Sequence, residues 1–231
     1  MVVWVAGASR GLGLALTKVF ALAGHTVYAG LRSPETSDKF WTAMSGLANV
    51  RVMTMDMTDE AQIAKVAAAI RERDGTLDVL INNAAVFSGQ NKEIDQVDFD
   101  EFNRAMAVNL VGPMMTVKHA LPLLLAAKQP LILNISSEAG SITGRPGLPY
   151  SYSLSKASLN MFTRILHGRY GAQGLRVYAV HPGRMMTDMG KPHFTLDPED
   201  TARGLLDIVE GREKPEANYQ FIDYMGHEMQ I

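Results

Sequence analysis

Cysteine is absent from the 231 residues. That excludes disulfides, thiolate nucleophiles and thiolate metal sites, and makes a cytoplasmic setting the default expectation. Charge of one sign is missing too: 22 Lys and Arg face 24 Asp and Glu, for a net charge of −2. No basic excess is left over to bind the phosphates of nucleic acid or of a membrane surface, so neither partner is expected. Long apolar runs are also lacking. The greasiest stretch, 120–127, contains Pro122 and falls far short of the ~20 residues of a membrane span. No basic leader precedes the apolar opening VVWV, and no metal-ligand set is assigned.

What the chain does have is apolar bulk, 47% of residues, enough to build a large core without disulfide or metal support. Short β-branched or apolar runs recur at 2–5, 26–31, 50–55, 79–81, 131–135, 176–180 and 219–222. Between them lie stretches with helical spacing, such as Leu12, Ala15, Leu16, Val19 and Phe20, or Ile63, Val66, Ala67 and Ile70. Strands alternating with helices of that length predict an α/β fold. The expected architecture is a single Rossmann-type doubly wound parallel sheet with helices on both faces and right-handed crossovers. One domain over 1–231 is expected, with 140–149 a Gly/Pro-rich loop inside it.

The first strand breaks into GASRGLG, where Gly7, Gly11 and Gly13 follow a strand and precede a helix. Glycines there permit a tight turn, let backbone approach a diphosphate, and let the helix pack closely on the sheet. A helix N-terminus then offers free N–H groups to an anion. A glycine-rich turn without a ligand would read the same way over this stretch alone.

The G-x-x-x-G-x-G spacing resembles that of the short-chain dehydrogenase/reductase family, and further motifs match in order. They are Asn82-Asn83-Ala84-Ala85 after the fourth strand, Asn109 in VNLVG, Asn134-Ile135-Ser136-Ser137 at the end of the fifth strand, Tyr152 to Lys156 as Y-x-x-x-K, and Pro182-Gly183 to Thr187 as P-G-x-x-x-T. HPGRMMTDMG and FIDYMGHEM are similar to the family's C-factor-like carbonyl reductases. The resemblance implies an oxidoreductase moving hydride between a nicotinamide dinucleotide and a carbonyl/alcohol pair. It places Tyr152 as acid/base, Ser137 as hydrogen-bond donor to the substrate oxygen, Lys156 on the ribose and beside the phenol, and Asn109 in a water relay. Ser9, Leu12, Asn83, Ala84, Ala85, Met57, Met185 and Thr187 would complete the cofactor wall. Homo-oligomers, dimer or tetramer, are usual in the family, through helices expected near 108–126 and 153–170 whose Ala157, Leu159, Phe162 and Ile165 suit such a face.

Tyr152 and Lys156 are four apart and share one helix face. A phenol near pKa ~10 would need roughly three units of lowering, about 4 kcal/mol, to work near neutrality. A nearby ammonium supplies ~1–3 units, so Lys156 is expected to acidify Tyr152. A surface Tyr/Lys pair would share the spacing, and Ser137 or Asn109 would equally serve as a cap or a buried backbone partner. The interval from Ser137 to Tyr152, fifteen residues, is longer than usual in the family. Tyr150 stands at the usual interval, but Leu154 occupies its lysine position, so Tyr150 is left as a pocket-lining candidate.

The second strand ends Gly30-Leu31-Arg32-Ser33, without the carboxylate that binds ribose hydroxyls in NAD-preferring relatives. Arg32, with Ser33 beside it and Arg10 in the glycine loop, favours a 2′-phosphate and so NADP(H). NAD(H) use would instead run through Glu35. Asp56 is a candidate for the adenine amino group or for a helix cap, a role open also to Thr58 and Asp59. Met185, Met186, Met189 and Phe194 follow Pro182-Gly183 as either an adaptable apolar lid or plain core. A nucleotide-binding signalling protein of C-factor type, with little turnover, is the alternative function.

Overall fold

The computed structural model describes residues 1–89, 93–144, 149–186 and 194–231. Seven strands form one sheet: β1 (Val2–Ala6), β2 (Thr26–Leu31), β3 (Val50–Thr54), β4 (Val79–Asn82), β5 (Leu131–Ile135), β6 (Arg176–His181) and β7 (Phe221–Asp223). Their order is β3-β2-β1-β4-β5-β6-β7, every pairing parallel. The order reverses between β1 and β4, so the crevice beyond their carboxyl ends is where a ligand is expected in such a sheet.

Because strand side chains alternate between faces, the opening VVWVA feeds two cores. Val3 and Val5 pack with Leu16 and Phe20 of α1 (Gly11–Leu22) and with Leu205 and Ile208 of α7 (Pro198–Val209). Trp4 and Ala6 face the other way, towards Ile63, Val66 and Ile70 of α3 (Glu60–Arg73) and Leu123 and Leu124 of α5 (Gly112–Leu125). Both faces are therefore covered by helices, as the near-continuous apolar strands require.

The helical run before β5 is longer than the sequence reading placed it. It starts at α4 (Phe99–Met106), capped by Asp98, whose Oδ1 accepts from the amides of Asp100 (2.8 Å) and Glu101 (3.3 Å). A π-turn at Ala107–Val111 joins it to α5. An 18-residue stretch of the joined run Phe99–Leu125 reaches a mean hydropathy of 1.2, apolar and long enough by composition to cross a bilayer. Here its apolar side is spent on the sheet, with Val117, Ala120, Leu123 and Leu124 in the core. The long helix α6 (Tyr150–Tyr170) starts three residues earlier than its spacing suggested, and α2 (Asp38–Ala43) is a short addition.

One polar network crosses the core. Asn82 Nδ2 donates to Asn134 Oδ1 (2.8 Å), Asn134 Nδ2 donates to Thr163 Oγ1 (2.8 Å), and Thr116 Oγ1 donates to Asn82 Oδ1 (2.6 Å). All four side chains are buried. The network ties β4 and β5 to α5 and α6 directly beneath the strand ends that carry the candidate site. Asn134→Ala leaves buried donors and acceptors without partners, at about 1–3 kcal/mol. Urea unfolding monitored by tryptophan fluorescence is expected to show that loss as a lower midpoint at unchanged slope.

Candidate active site

The turn after β1 is shaped by what a side chain there would strike. Gly7 has φ +87°, and a Cβ on it would lie 2.6 Å from the Ala84 Cβ. A Cβ on Gly13 would lie 2.0 Å from the Gly7 carbonyl oxygen. Only glycine lets the start of α1 press against the turn while the turn presses against the end of β4. Asn83 Nδ2 then donates to the Gly7 oxygen at 2.6 Å and locks the two loops. The N-terminus of α1 has no side-chain cap and no acidic residue in its first turn. Its amides therefore face the cleft ready for an anion.

That cleft, about 360 Å³, runs along the carboxyl ends of the strands. At one end stand Ser9, Arg10, Arg32, Asp56 and Met57; at the other stand Tyr152, Lys156, Pro182 and Met185; Gly7, Gly11, Leu12, Asn83, Ala84 and Ala85 lie between. Gly13, Ser33, Asn109, Ser137 and Gly183 are not among its lining residues; Ser136, next to Ser137, is. Gly13 acts through packing, and Gly183, at φ +81°, would drive a Cβ into Leu196 at 2.4 Å. Tyr150 and Glu35 do not line the cleft either, and Thr187 and Met189 lie outside the described residues. Of the remaining lid candidates, Met185 and Phe194 are half-buried and Met186 is exposed.

Several lining residues escaped the sequence reading: Met55, Val86, Arg104, Val108, Ile135 and Ser136. Val108, Ile135 and Ser136 lie inside quoted motifs without having been assigned to the cleft, and Val86 adjoins one. Arg104 carried no such mark except its helical spacing of four from Val108. It brings a third guanidinium to the end that holds Arg10 and Arg32. Burial pushes the Asp56 carboxyl up, but hydrogen bonds from Thr58 (2.8 Å from the amide, 2.7 Å from the hydroxyl) and the charges of Arg32 and Arg104 outweigh it and hold the group below its ordinary range. Asp56 is thus an ionised acceptor in the cleft. The cap of α3 is Asp59, which accepts from the Gln62 amide at 3.0 Å.

At the other end, Ser137 Oγ accepts from the Ala139 amide (3.1 Å) and lies next to the Tyr152 hydroxyl, where it favours the ionised phenol. One oxygen atom placed at this meeting point would be within reach of both hydroxyls. Lys156 is buried; its Nζ lies 5.6 Å from the centroid of the Tyr152 ring and donates to the Ile135 carbonyl at 2.7 Å. The expected acidification of Tyr152 by Lys156 is not what the structure gives. Burial raises the phenol above its ordinary value, and Ser137 only partly opposes this. The ammonium is itself desolvated, with its pKa lowered to about 7. Asn109 is fully buried, with its amide engaged on the protein: Oδ1 accepts from the Val86 amide (2.8 Å), and Nδ2 donates to the Val86 carbonyl (3.0 Å) and Ser155 Oγ (3.0 Å).

A parallel sheet with this order of strands, an uncapped helix above a glycine turn, and Tyr152 with buried Lys156 at the far end of one cleft are the arrangement of a dinucleotide-dependent oxidoreductase. The sequence model of the short chain dehydrogenase family matches residues 1–196, and the chain belongs to that family. It is 36% identical over 156 residues to the C-signal protein of Myxococcus xanthus, covering 67% of this chain and 93% of that one. A short chain dehydrogenase of Monascus ruber is 34% identical over 198 residues, 82% of this chain, but the match spans only 64% of that relative's length. Among solved structures, an NADPH-bound carbonyl reductase from chicken fatty liver superposes with a TM-score of 0.88 at 28% identity, over 99% of this chain and 98% of that one.

The buried Lys156 has a consequence for folding. An ordinary lysine titrates at 10.5, and this one at about 7. Below pH 7 the folded chain bears the whole cost of the buried charge, on the order of 5 kcal/mol. Between about 7 and 10.5 the unfolded chain binds more protons, so stability rises with pH until the cost is gone. Lys156→Met leaves the Ile135 carbonyl without its donor, an effect of about 1–3 kcal/mol. The variant is therefore expected to melt above the wild type at pH 6–7, by a margin that shrinks as pH approaches ~10. Thermal melts of both proteins across that range check it.

Proposed function

We propose that the protein is an NADP(H)-dependent reductase of the carbonyl reductase type, with Tyr152 as the proton donor. The observation that carries this reading is Tyr152 and buried Lys156 at the end of the cleft opposite the arginines, with Lys156 Nζ over the Tyr152 ring and Ser137 next to the Tyr152 hydroxyl. The cofactor, when bound, supplies hydride to the carbonyl carbon. The chain's own residues do the rest. Tyr152 gives the proton from its hydroxyl to the carbonyl oxygen as that oxygen gains charge, Ser137 donates a hydrogen bond to the same atom, and Lys156, charged below about pH 7, brings positive charge close to both. The fit of the cofactor rests on the uncapped α1 amides for a diphosphate and on Arg10 and Arg32 for a 2′-phosphate. The carbonyl reductase likeness supports both points. Asn109 contributes by holding the cleft wall, and its π-turn by loosening the helical hydrogen-bond ladder where a water would be held.

Quaternary structure and location complete the reading: a cytoplasmic homodimer through α5 and α6. Leu159 is core, so the face falls to Val111, Met114, Met161 and Ile165, which are exposed. The signalling alternative leaves unexplained why Tyr152 and buried Lys156 both line the cleft.

Two experiments test the assignment. Tyr152→Phe is expected to lower kcat for aldehyde and ketone reduction by roughly 10²–10⁴-fold with NADPH binding, read by cofactor fluorescence, unchanged. Substantial residual turnover would remove the acid role. Arg32→Ala is expected to raise the NADPH Kd roughly 10- to 100-fold, the loss of a charge-assisted contact, while NADH binding stays put. Equal loss for both cofactors would take the 2′-phosphate away from Arg32.

A further inference from the structure

Phe87 belongs to no motif in the sequence, yet its ring meets the Tyr152 ring edge-on, with centroids 4.7 Å apart and an interplanar angle of 89°. Aromatic pairs favour this geometry, in which the positive edge of one ring faces the negative face of the other. Phe87 is also held from behind. Asn109, twenty-three residues away, grips both the amide and the carbonyl of Val86, the residue before it. Asn109 Nδ2 also donates to Ser155 Oγ, and Ser155 Oγ donates to the carbonyl of Tyr152 at 2.7 Å. A closed circuit results: Asn109 to Val86, on to the Phe87 ring, across to the Tyr152 ring, and back through the Tyr152 carbonyl and Ser155 to Asn109. The circuit fixes the phenol twice, by its ring and by its backbone.

The geometry points to Phe87 as the positioning residue of this site, setting the direction of the Tyr152 hydroxyl and sealing its ring from water. The inference rests on the proposed acid role of Tyr152. Its physical basis is that proton transfer in the transition state tolerates little misplacement of the donor. A phenol in the first turn of a helix has a free χ1 unless something packs against it. Lys156 faces the ring from α6 and Ser137 faces its hydroxyl from beyond β5. Neither confines the ring laterally, since one reaches over it and the other binds its tip. Phe87 supplies the lateral wall. It also helps produce the burial that raises the phenol's pKa.

The test compares Phe87→Leu, which removes the ring, with Phe87→Tyr, which keeps it, and includes Tyr152→Phe as a control. For Phe87→Leu, kcat is expected to fall roughly three- to tenfold, the size of an edge-to-face contact. Carbonyl KM and the NADPH Kd, read by cofactor fluorescence, are expected to move by no more than about twofold. The phenol's alkaline limb of the kcat profile, which lies above the Lys156 ionisation near 7, is expected to move to lower pH, because water reaching the phenol relieves the desolvation that raises it. Phe87→Tyr is expected to keep both the rate and the limb. If Phe87→Leu unfolds, Phe87→Met, an unbranched apolar replacement, carries the same expectations. An unmoved alkaline limb, or a loss confined to KM or NADPH affinity, would overturn the positioning role and leave Phe87 a wall of the binding cleft. Activity surviving in Tyr152→Phe would instead overturn the acid role. An inactive Tyr152→Phe beside an unaffected Phe87→Leu would overturn only the inference about Phe87.

Discussion

The costliest arrangement in this molecule is an ammonium with almost no water: Lys156, buried against the sheet, with the Ile135 carbonyl as its hydrogen-bond acceptor. A charge in that position is tolerable only where a large core supplies stability to offset it, and where geometry keeps water from reaching it. Both conditions trace to the same architecture. The parallel strands are buried on both faces, and the short turn at Glu138–Gly140 presses so closely on α6 that a Cβ on Gly140 would lie 2.7 Å from the Lys156 carbonyl carbon. The close packing that makes the fold stable also desolvates the residue that its chemistry needs.

Much of this was legible in the sequence, for reasons that differ between elements. Strands covered on both faces must be apolar throughout, so all seven were visible as runs. The glycine turn was visible because steric exclusion leaves no substitute for Gly7 or Gly13. Arg10 and Arg32 were placed by their position relative to strand ends, which parallel pairing fixes. The start of α4 was missed although Asp98, with Glu101 three residues on, is a recognisable cap. The polar stretch FDEFNR hid an otherwise ordinary helix.

Other features were not legible because nothing local determines them. Which face of α4 meets the cleft depends on the π-turn that follows, where the helical register shifts, so Arg104 could not be placed by its helical period alone. Phe87 owes its position to Asn109, and the two are brought together only by the fold. The titration of Tyr152 is the clearest case. Spacing says that an ammonium lies near the phenol, and that alone predicts acidification. Burial acts on both groups at once and penalises each charged form, and no pattern of residues reports how dry a helix face will be.

The direction of that departure makes chemical sense for a reductase. Reduction of a carbonyl leaves an alkoxide, which is a far stronger base than a phenolate, so even a reluctant phenol gives up its proton to it readily. What the resting site requires is that the proton be there beforehand. A phenol held above its ordinary pKa by burial, with Ser137 next to its hydroxyl, keeps that proton more firmly than a free tyrosine does. Positive charge from Lys156 is then most valuable at the moment charge develops on the oxygen, since its effect is strongest where the dielectric is lowest. Dry walls that discourage ionisation at rest and strengthen electrostatic attraction during reaction serve one end: a donor that waits loaded and discharges only towards a stronger base.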